Sequence, residues 1–593
     1  MVHRRLYGWV VVCLCLLVSC SPGMGLIVPS PASTVPGAAN ATMTPFQPLL
    51  ATYTATPFPE ALWIGDSVPP GLRDSARAWD IPLVDRANAA TLYLDQGEST
   101  EPKAQSATWV YALVAPFSTV TGGVASEQLR QAWGGSSPAP FSGRPLLMDE
   151  ATLAAFTLLW GEPASGAVRT VAADQLLETA WSEQPSWGIV PFEALEPRWK
   201  VLTVDGQSPL HNDFDPVNYP LVATFSLACA DLCGVSPLPE LPATNRDPFK
   251  LTTLIMTGVT ALVRATAYTM EVKGVTYPGR DIRDWLRSAD ISHINNEVPF
   301  YGGCPYPNPN TGSLIFCSDP RYIELLMDVG TDVIELAGDH LNNYGDIAIK
   351  ETLALYRENG LRYYGGGANL EEAQRPLLIE NHGNKLAFMG CNAKGDKYYG
   401  KATETRPGPA PCNYKYIANQ IDQLRKQGYL VIFTFQHQEC YSADPCYTAQ
   451  PAFRRVADAG AVIVSGSQAH YAQVMEFRNG SFIHYGLGNL FFDQMYHVLD
   501  DGSTTENTRR EFLDRHVFYD GRYIGTELLT AMLEDYSRPR PMTPDERAAF
   551  LTEYFADSGW IPFVPTPTPT VTATLTPLSL PRPIQTLTLS PAP

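Results

Sequence analysis

Six short apolar runs, each rich in β-branched residues and each ending in polar residues, constrain this chain most. They are "LTTLIMTGVTALVR", "SADISHINNEVPF", "GTDVIELAGDHLNNYG", "GYLVIFTFQHQECY", "AGAVIVSGSQAHYAQVMEF" and "SFIHYGLGNLFFDQ", spread over residues 251–494. Helix-like stretches such as "DPRYIELLMDVG" and "GDIAIKETLALYRENG" separate several of them. Continuous apolar strands of this length are buried on both faces, and alternation with helices implies a layered α/β fold. Such folds gather their polar residues at strand carboxyl ends. Here those ends carry Asn295, Asn296 and Glu297, then Asp339 and His340, then His437 and Glu439, then His470. Carboxylate, amide and imidazole together suit Zn, Mn or Fe in a hydrolytic site. Each residue alone is weak, because a lone strand-end histidine is more often a structural hydrogen-bonding group.

The amino terminus, "MVHRRLYGWVVVCLCLLVSCSPG", sets Arg4 and Arg5 before an apolar run from Leu6 to Val18. That run is too short to span a bilayer and fits a signal-peptide core. Leu17-Val18-Ser19-Cys20 resembles a bacterial lipobox, which implies acylation of Cys20 and an extracytoplasmic, membrane-anchored product. An ordinary cleaved signal peptide is the other reading. Beyond Cys13, Cys15 and Cys20, the remaining cysteines fall in neighbouring pairs: Cys229/Cys233, Cys304/Cys317, Cys391/Cys412 and Cys440/Cys446. In an exported chain these read as disulfides that pin loops, and they lack the CxxC spacing of a thiolate metal site. The 61 acidic against 42 basic residues give a net charge of −19, which repels polyanions and excludes nucleic acid as a partner.

Composition divides the chain further. Residues 1–20 are the expected lipoprotein signal peptide and 21–57 a Pro/Thr-rich tether; 563–593 repeat that low-complexity character and are expected to be disordered. Prolines in "PLPELPATNRDPFK" mark a boundary between an α/β domain over 58–240 and a larger one over 246–500, with 501–562 expected as a helical extension. The first domain contains strand-like "TWVYALVAPF" and helix-like "ASEQLRQAWGG", with Ser126 as candidate N-cap. Together with Asp205-Gly206, Pro209 and Tyr219-Pro220-Leu221, this order resembles periplasmic solute-binding proteins of the phosphate type. The resemblance implies a solute-binding-like fold, serving either a ligand or a spacer role. Gly65, Asp66 and Ser67 stand nearest to that family's anion loop.

The polar turns of the second domain, taken in order, resemble the CapA family of capsule-synthesis proteins, associated with poly-γ-glutamate. The matching positions are Gly258 through Arg264, Asp290, Asn296-Glu297 and Ala337-Gly338-Asp339-His340 with Asn343-Tyr344-Gly345. Further on come Gly365 to Asn369, Glu372-Ala373, Arg375-Pro376, His437 with Glu439, and Gly466 with His470. Gln473, Glu476 and Tyr485 through Asn489, ending at Asp493, complete the order. The resemblance implies a four-layer αββα metallophosphatase-like sandwich. It also implies a metal set of Glu297, Asp339, His340, His437 and His470, with His340 or His437 as acid/base partner. Val259 stands where the family carries an aspartate and Ser467 where it carries a histidine. Asp339 replaces an asparagine and Asn343 an aspartate. One ion is therefore expected rather than two.

Two function classes follow. One is a metal-dependent hydrolase acting on an anionic envelope polymer within the capsule-synthesis machinery. The other is a binding or scaffold protein for that polymer with a degenerate metal site. "RNGSFIHY" reads as a hairpin turn at Asn479-Gly480, and "YYGGGANLEEA" lacks nucleotide-loop spacing.

Overall fold

The computed structural model describes residues 60–101, 103–229, 237–394 and 400–561, all within one compact unit spanning Pro57–Pro593. The expected signal peptide with Cys20, the tether, Cys233 and the Pro/Thr-rich tail lie outside the described residues.

The amino-terminal part is built on a nine-stranded sheet. Its axis is the long strand Gln105–Pro116, which pairs antiparallel with Val222–Cys229 through its first half and with Trp187–Pro191 and Trp199–Val204 through its second. The helices Pro70–Arg77, Ser126–Trp133, Glu150–Trp160 and Leu176–Ser182 contribute to one core with it, around Tyr111, Leu113, Phe156 and Trp187. Ser126 is the first helical residue and not the cap. The Asp205 carboxylate accepts its N–H at 2.9 Å, so an acidic side chain from a distant turn satisfies the helix end.

From Leu251 onward, two sheets face one another. The first is eight-stranded: Arg362–Tyr364, Val333–Glu335, Ile291–Asn296 and Leu251–Thr257 run parallel, followed by antiparallel Arg510–Tyr519, Arg522–Glu534 and Arg538–Pro541. The second is six-stranded, with Asn384–Asn392, Leu430–Gln436, Ile463–Gly466 and Ser481–His484 parallel at its centre. Strand period two sorts the side chains. Leu254, Met256, Ile291 and Val333 point between the sheets, where they meet Leu386, Phe388, Ile432 and Phe482. Their neighbours Ile255, Ile294 and Ile334 point outward, against Met270, Leu325, Ile349 and Leu353 of three helices. On the far side Val431, Phe433 and Val464 pack under Ile421, Phe453 and Val456 of Tyr414–Lys426 and Ala449–Ala459. Four layers, αββα, result. Each large side chain buried in this way contributes about 1.5–3 kcal/mol.

The segment 501–562 departs from the expected helical extension. Its described residues supply the strands Arg510–Tyr519, Arg522–Glu534 and Arg538–Pro541, the short strand Thr504–Thr505, and one α-helix, Pro544–Asp557. The reason lies in buried polar residues. Glu511, Asp514 and His516 sit inside strand Arg510–Tyr519, and His484 Nδ1 meets Asp514 Oδ2 at 2.7 Å, so the strand lacks apolar alternation.

Candidate functional site

The carboxyl ends of five parallel strands form the site floor. Glu297 follows Ile291–Asn296, and the turn Gly338-Asp339-His340 follows Val333–Glu335. Gly338 makes their approach feasible: a Cβ there would lie 2.5 to 2.8 Å from the Glu297 backbone. Asn392 Nδ2 donates to Ala337 O at 2.9 Å and ties the same turn to the second sheet.

Glu297, Asp339 and His340 each offer one ligand atom, all within 4.8 Å of one another, and both carboxylates are about 1% exposed. His340 Nδ1 lies 2.8 Å from Asn343 Oδ1, which also accepts the Phe316 N–H at 2.8 Å. That acceptor puts the imidazole proton on Nδ1 and leaves Nε2 as the lone-pair nitrogen, 4.0 Å from Asp339 Oδ2. His470 enters from the opposite side, its Nε2 3.9 Å from Glu297 Oε1. Asn489 Oδ1 holds its Nδ1 at 2.8 Å, and Asn489 Nδ2 donates to Thr508 O, which fixes the amide. His470 has φ +52°, a left-handed conformation that costs a non-glycine residue about 1–2 kcal/mol. Its ring stacks on Phe492.

His437 is not brought into this cluster. Strand Leu430–Gln436 presents Gln436 to the site, and the next residue faces the other way, where the His437 ring lies against Phe435 and Phe453. Burial there lowers its pKa to about 4, and Nδ1 has no hydrogen-bond partner among the described residues. Gln436 Nε2 instead reaches Glu297 Oε1 and Asp339 Oδ1, each at 3.4 Å, while its Oε1 accepts from Ser467 Oγ at 3.3 Å. Asn295 and Asn296 are structural: Asn295 donates to Glu335 Oε2 at 2.8 Å, and Asn296 donates to Val298 O and to the Tyr356 hydroxyl.

Sequence reasoning missed Lys394, Gln436 and Gln468. The Lys394 ammonium donates to Asp339 Oδ2 and to Glu439 Oε1, both at 2.6 Å. The Gln468 amide lies between Glu297 Oε1 at 3.0 Å and Lys394 Nζ at 3.1 Å. Its nitrogen faces the carboxylate and its oxygen the ammonium, as donor and acceptor chemistry require. Lys394 follows strand Asn384–Asn392 and so carries the same signal, a polar residue past a strand end, as the residues that were singled out.

Burial, reinforced by the negative charge of Asp339, pushes Glu297 well above the usual carboxylate range. Burial pulls Asp339 the same way, but the hydrogen bond from Glu297 and the ammonium of Lys394 hold it below its ordinary value.

Three disulfides flank these turns. Cys304–Cys317 holds the loop whose Phe316 ring lies 4.6 Å from that of His340. Cys391–Cys412 closes the segment that contains Lys394, and Cys440–Cys446 follows Glu439. Cys229 is disulfide-bonded as well.

Residues 253–494 match the family described as "Bacterial capsule synthesis protein PGA_cap". The segment is thus similar to the PGA_cap domain. It spans the strands and turns of the site from Leu254 to Asp493. The chain is 25% identical over 280 residues to "Capsule biosynthesis protein CapA" of Bacillus anthracis, a match covering 44% of this chain and 67% of that protein. It is 28% identical over 173 residues to "PGA biosynthesis protein CapA" of Bacillus subtilis (strain 168), covering 29% of this chain and less than half, 45%, of that one. Among solved structures, an ABC-type phosphate transport receptor from Vibrio cholerae is 12% identical with a TM-score of 0.25, over 30% of this chain and 89% of that one.

The donor set of the segment 253–494 fits one divalent ion. Glu297, Asp339 and His340 provide two carboxylates and an imidazole, a combination suited to Zn, Mn or Fe. It does not fit a second. Val259 is a fully buried apolar residue, Ser467 Oγ donates to Gln436 Oε1, and the Gln468 oxygen faces Lys394.

Proposed function

We propose that this protein acts outside the cytoplasm in the biosynthesis of an anionic capsule or envelope polymer of the poly-γ-glutamate type, as a single-ion hydrolase held to the membrane through acylated Cys20. The observation that carries this reading is the convergence of Glu297, Asp339 and His340 inside the segment that matches the PGA_cap family. The names of the two capsule-biosynthesis relatives support the polymer class. The lipobox-like Cys20 and the disulfides support the location.

A divalent ion held by Glu297, Asp339 and His340 would supply Lewis-acid polarisation of a phosphoryl or acyl oxygen. His470 is the base: Asn489 keeps the proton on Nδ1, burial lowers its pKa, and neutral Nε2 accepts a proton on the Glu297 side. Lys394 offsets the carboxylates of Asp339 and Glu439, so a polyanionic chain meets less repulsion than three acids would impose.

The Lys394–Asp339 contact also favours a second reading, in which the domain holds polymer without cleaving it, the ammonium serving where a metal otherwise would. One experiment separates the two: purified protein is incubated with poly-γ-glutamate and Mn²⁺, and both retention and chain length are measured. The first reading expects shortened polymer, lost in D339N and H470A. The second expects binding at unchanged length. No retention and no cleavage, with or without metal, would sink both.

A further inference from the structure

A separate cavity of about 230 Å³ lies where the amino-terminal sheet meets the carboxyl-terminal strands and helix. Its walls are mainly apolar, from Phe117, Val201, Leu528, Met542, Leu551 and Phe555, yet Lys200 and Arg547 both face it. The Lys200 ammonium donates to Thr119 O at 2.5 Å and to Val120 O at 3.2 Å. The Arg547 guanidinium donates to Leu528 O at 2.8 Å. The carboxylate in the wall, Glu527, is already engaged: His211 Nε2 lies 2.9 Å from both its oxygens, and Arg515 Nη1 donates to Oε2 at 3.1 Å. Arg515 also reaches Ser288 Oγ at 3.0 Å. The hydrogen bonds of Glu527 thus go to His211 and Arg515, while the ammonium of Lys200 and the guanidinium of Arg547 hydrogen-bond only backbone carbonyls and feel the Glu527 charge at longer range.

Two like charges facing one apolar space are costly unless an anion joins them. The protonation energetics agree. Burial pushes Lys200 well below its ordinary value, the charge of Arg547 adding to the effect, and burial lowers Arg547 too.

We propose that this cavity binds a small organic acid, its carboxylate between Lys200 and Arg547 and its apolar body against Phe117, Met542, Leu551 and Phe555. Size and wall chemistry select the class. The volume falls below the range of about 300–1,000 Å³ typical of drug-sized ligands, so the occupant has few non-hydrogen atoms. A bare inorganic anion would leave the apolar wall unfilled. Because the wall is drawn from both parts of the fold, the bound acid cements their seam. The inference is independent of the reading given to the site at Glu297, Asp339 and His340.

The test is calorimetric titration of the full chain with hexanoate, hexanol and inorganic phosphate, with melting temperature as a second readout. Saturable hexanoate binding that raises the melting temperature, no binding of hexanol, and a loss of about tenfold or more in affinity in K200M are expected. The proposal is overturned if hexanoate does not bind, if hexanol binds equally, if phosphate binds more tightly, or if K200M binds as the wild type does. Should K200M fail to fold, the comparison of hexanoate with hexanol and phosphate on the wild-type chain decides, because an apolar pocket indifferent to charge treats the acid and the alcohol alike.

Discussion

Lys394 Nζ lies 2.6 Å from Asp339 Oδ2, so an ammonium group occupies one side of the carboxylate that a metal ion would share. The same nitrogen reaches Glu439 Oε1 at 2.6 Å. The site therefore carries a built-in cation. Charge balance among Glu297, Asp339 and Glu439 depends on whether that ammonium or a divalent ion offsets them.

Removing the ammonium sharpens the competition. K394M leaves Asp339 and Glu439 without their partner, and the affinity for Mn²⁺ is expected to rise by about tenfold, or ~1.4 kcal/mol. Isothermal titration reads this directly. An unchanged or weaker affinity would mean that Lys394 supports the ion instead of competing with it.

Gly338 sets the distance between the two acids. In G338A the new Cβ would fall within 2.5 to 2.8 Å of the Glu297 backbone, and the turn must move. A stability loss of about 1–3 kcal/mol is expected from the overpacking, together with lost ion binding. Denaturant melts paired with titration check it, and normal ion binding in a folded G338A protein would refute the role assigned to the turn.

Glu335 carries a pH signature. It is buried between the sheets beside Asn295, and burial raises its pKa from 4.5 to about 7. The folded state holds this proton more tightly than the unfolded one. The contribution is therefore fully present below about pH 4.5 and is lost as pH rises to about 7, a span of about 3 kcal/mol. Urea melts of wild type and E335Q across that window should differ in slope, the variant being flatter. Parallel pH profiles would contradict the assignment.

Cys304–Cys317 and Cys440–Cys446 sit at the site's loops, whereas Cys391, bonded to Cys412, is packed in the core. Reduction is expected to weaken ion binding while far-ultraviolet circular dichroism keeps the strand and helix signals, because the sandwich core does not depend on Cys304–Cys317 or Cys440–Cys446. Equal ion affinity before and after reduction would show that the loops hold without their links.

The layered fold was legible because each central strand is apolar on both faces, and the polar turns were legible because they end such strands. Glu297, Asp339 and His340 were found in that way. His437 was not separable from Gln436 by pattern, since a shift of one residue at a strand end reverses the side of the sheet, and only the backbone geometry decides which residue faces in. Lys394 was passed over because a lysine beyond a strand reads as solvated surface, and its burial depends on Asp339 and Glu439, which are distant in sequence. The strands after residue 509 were hidden by Glu511, Asp514 and His516, polar residues inside the packed fold.

The most direct measurement is ion stoichiometry on the purified, metal-stripped protein titrated with Mn²⁺ or Zn²⁺. The account predicts one ion per chain, lost in E297Q and D339N and retained in H437A. Two ions per chain, no ion under any loading, or loss of binding in H437A with D339N unaffected would contradict it.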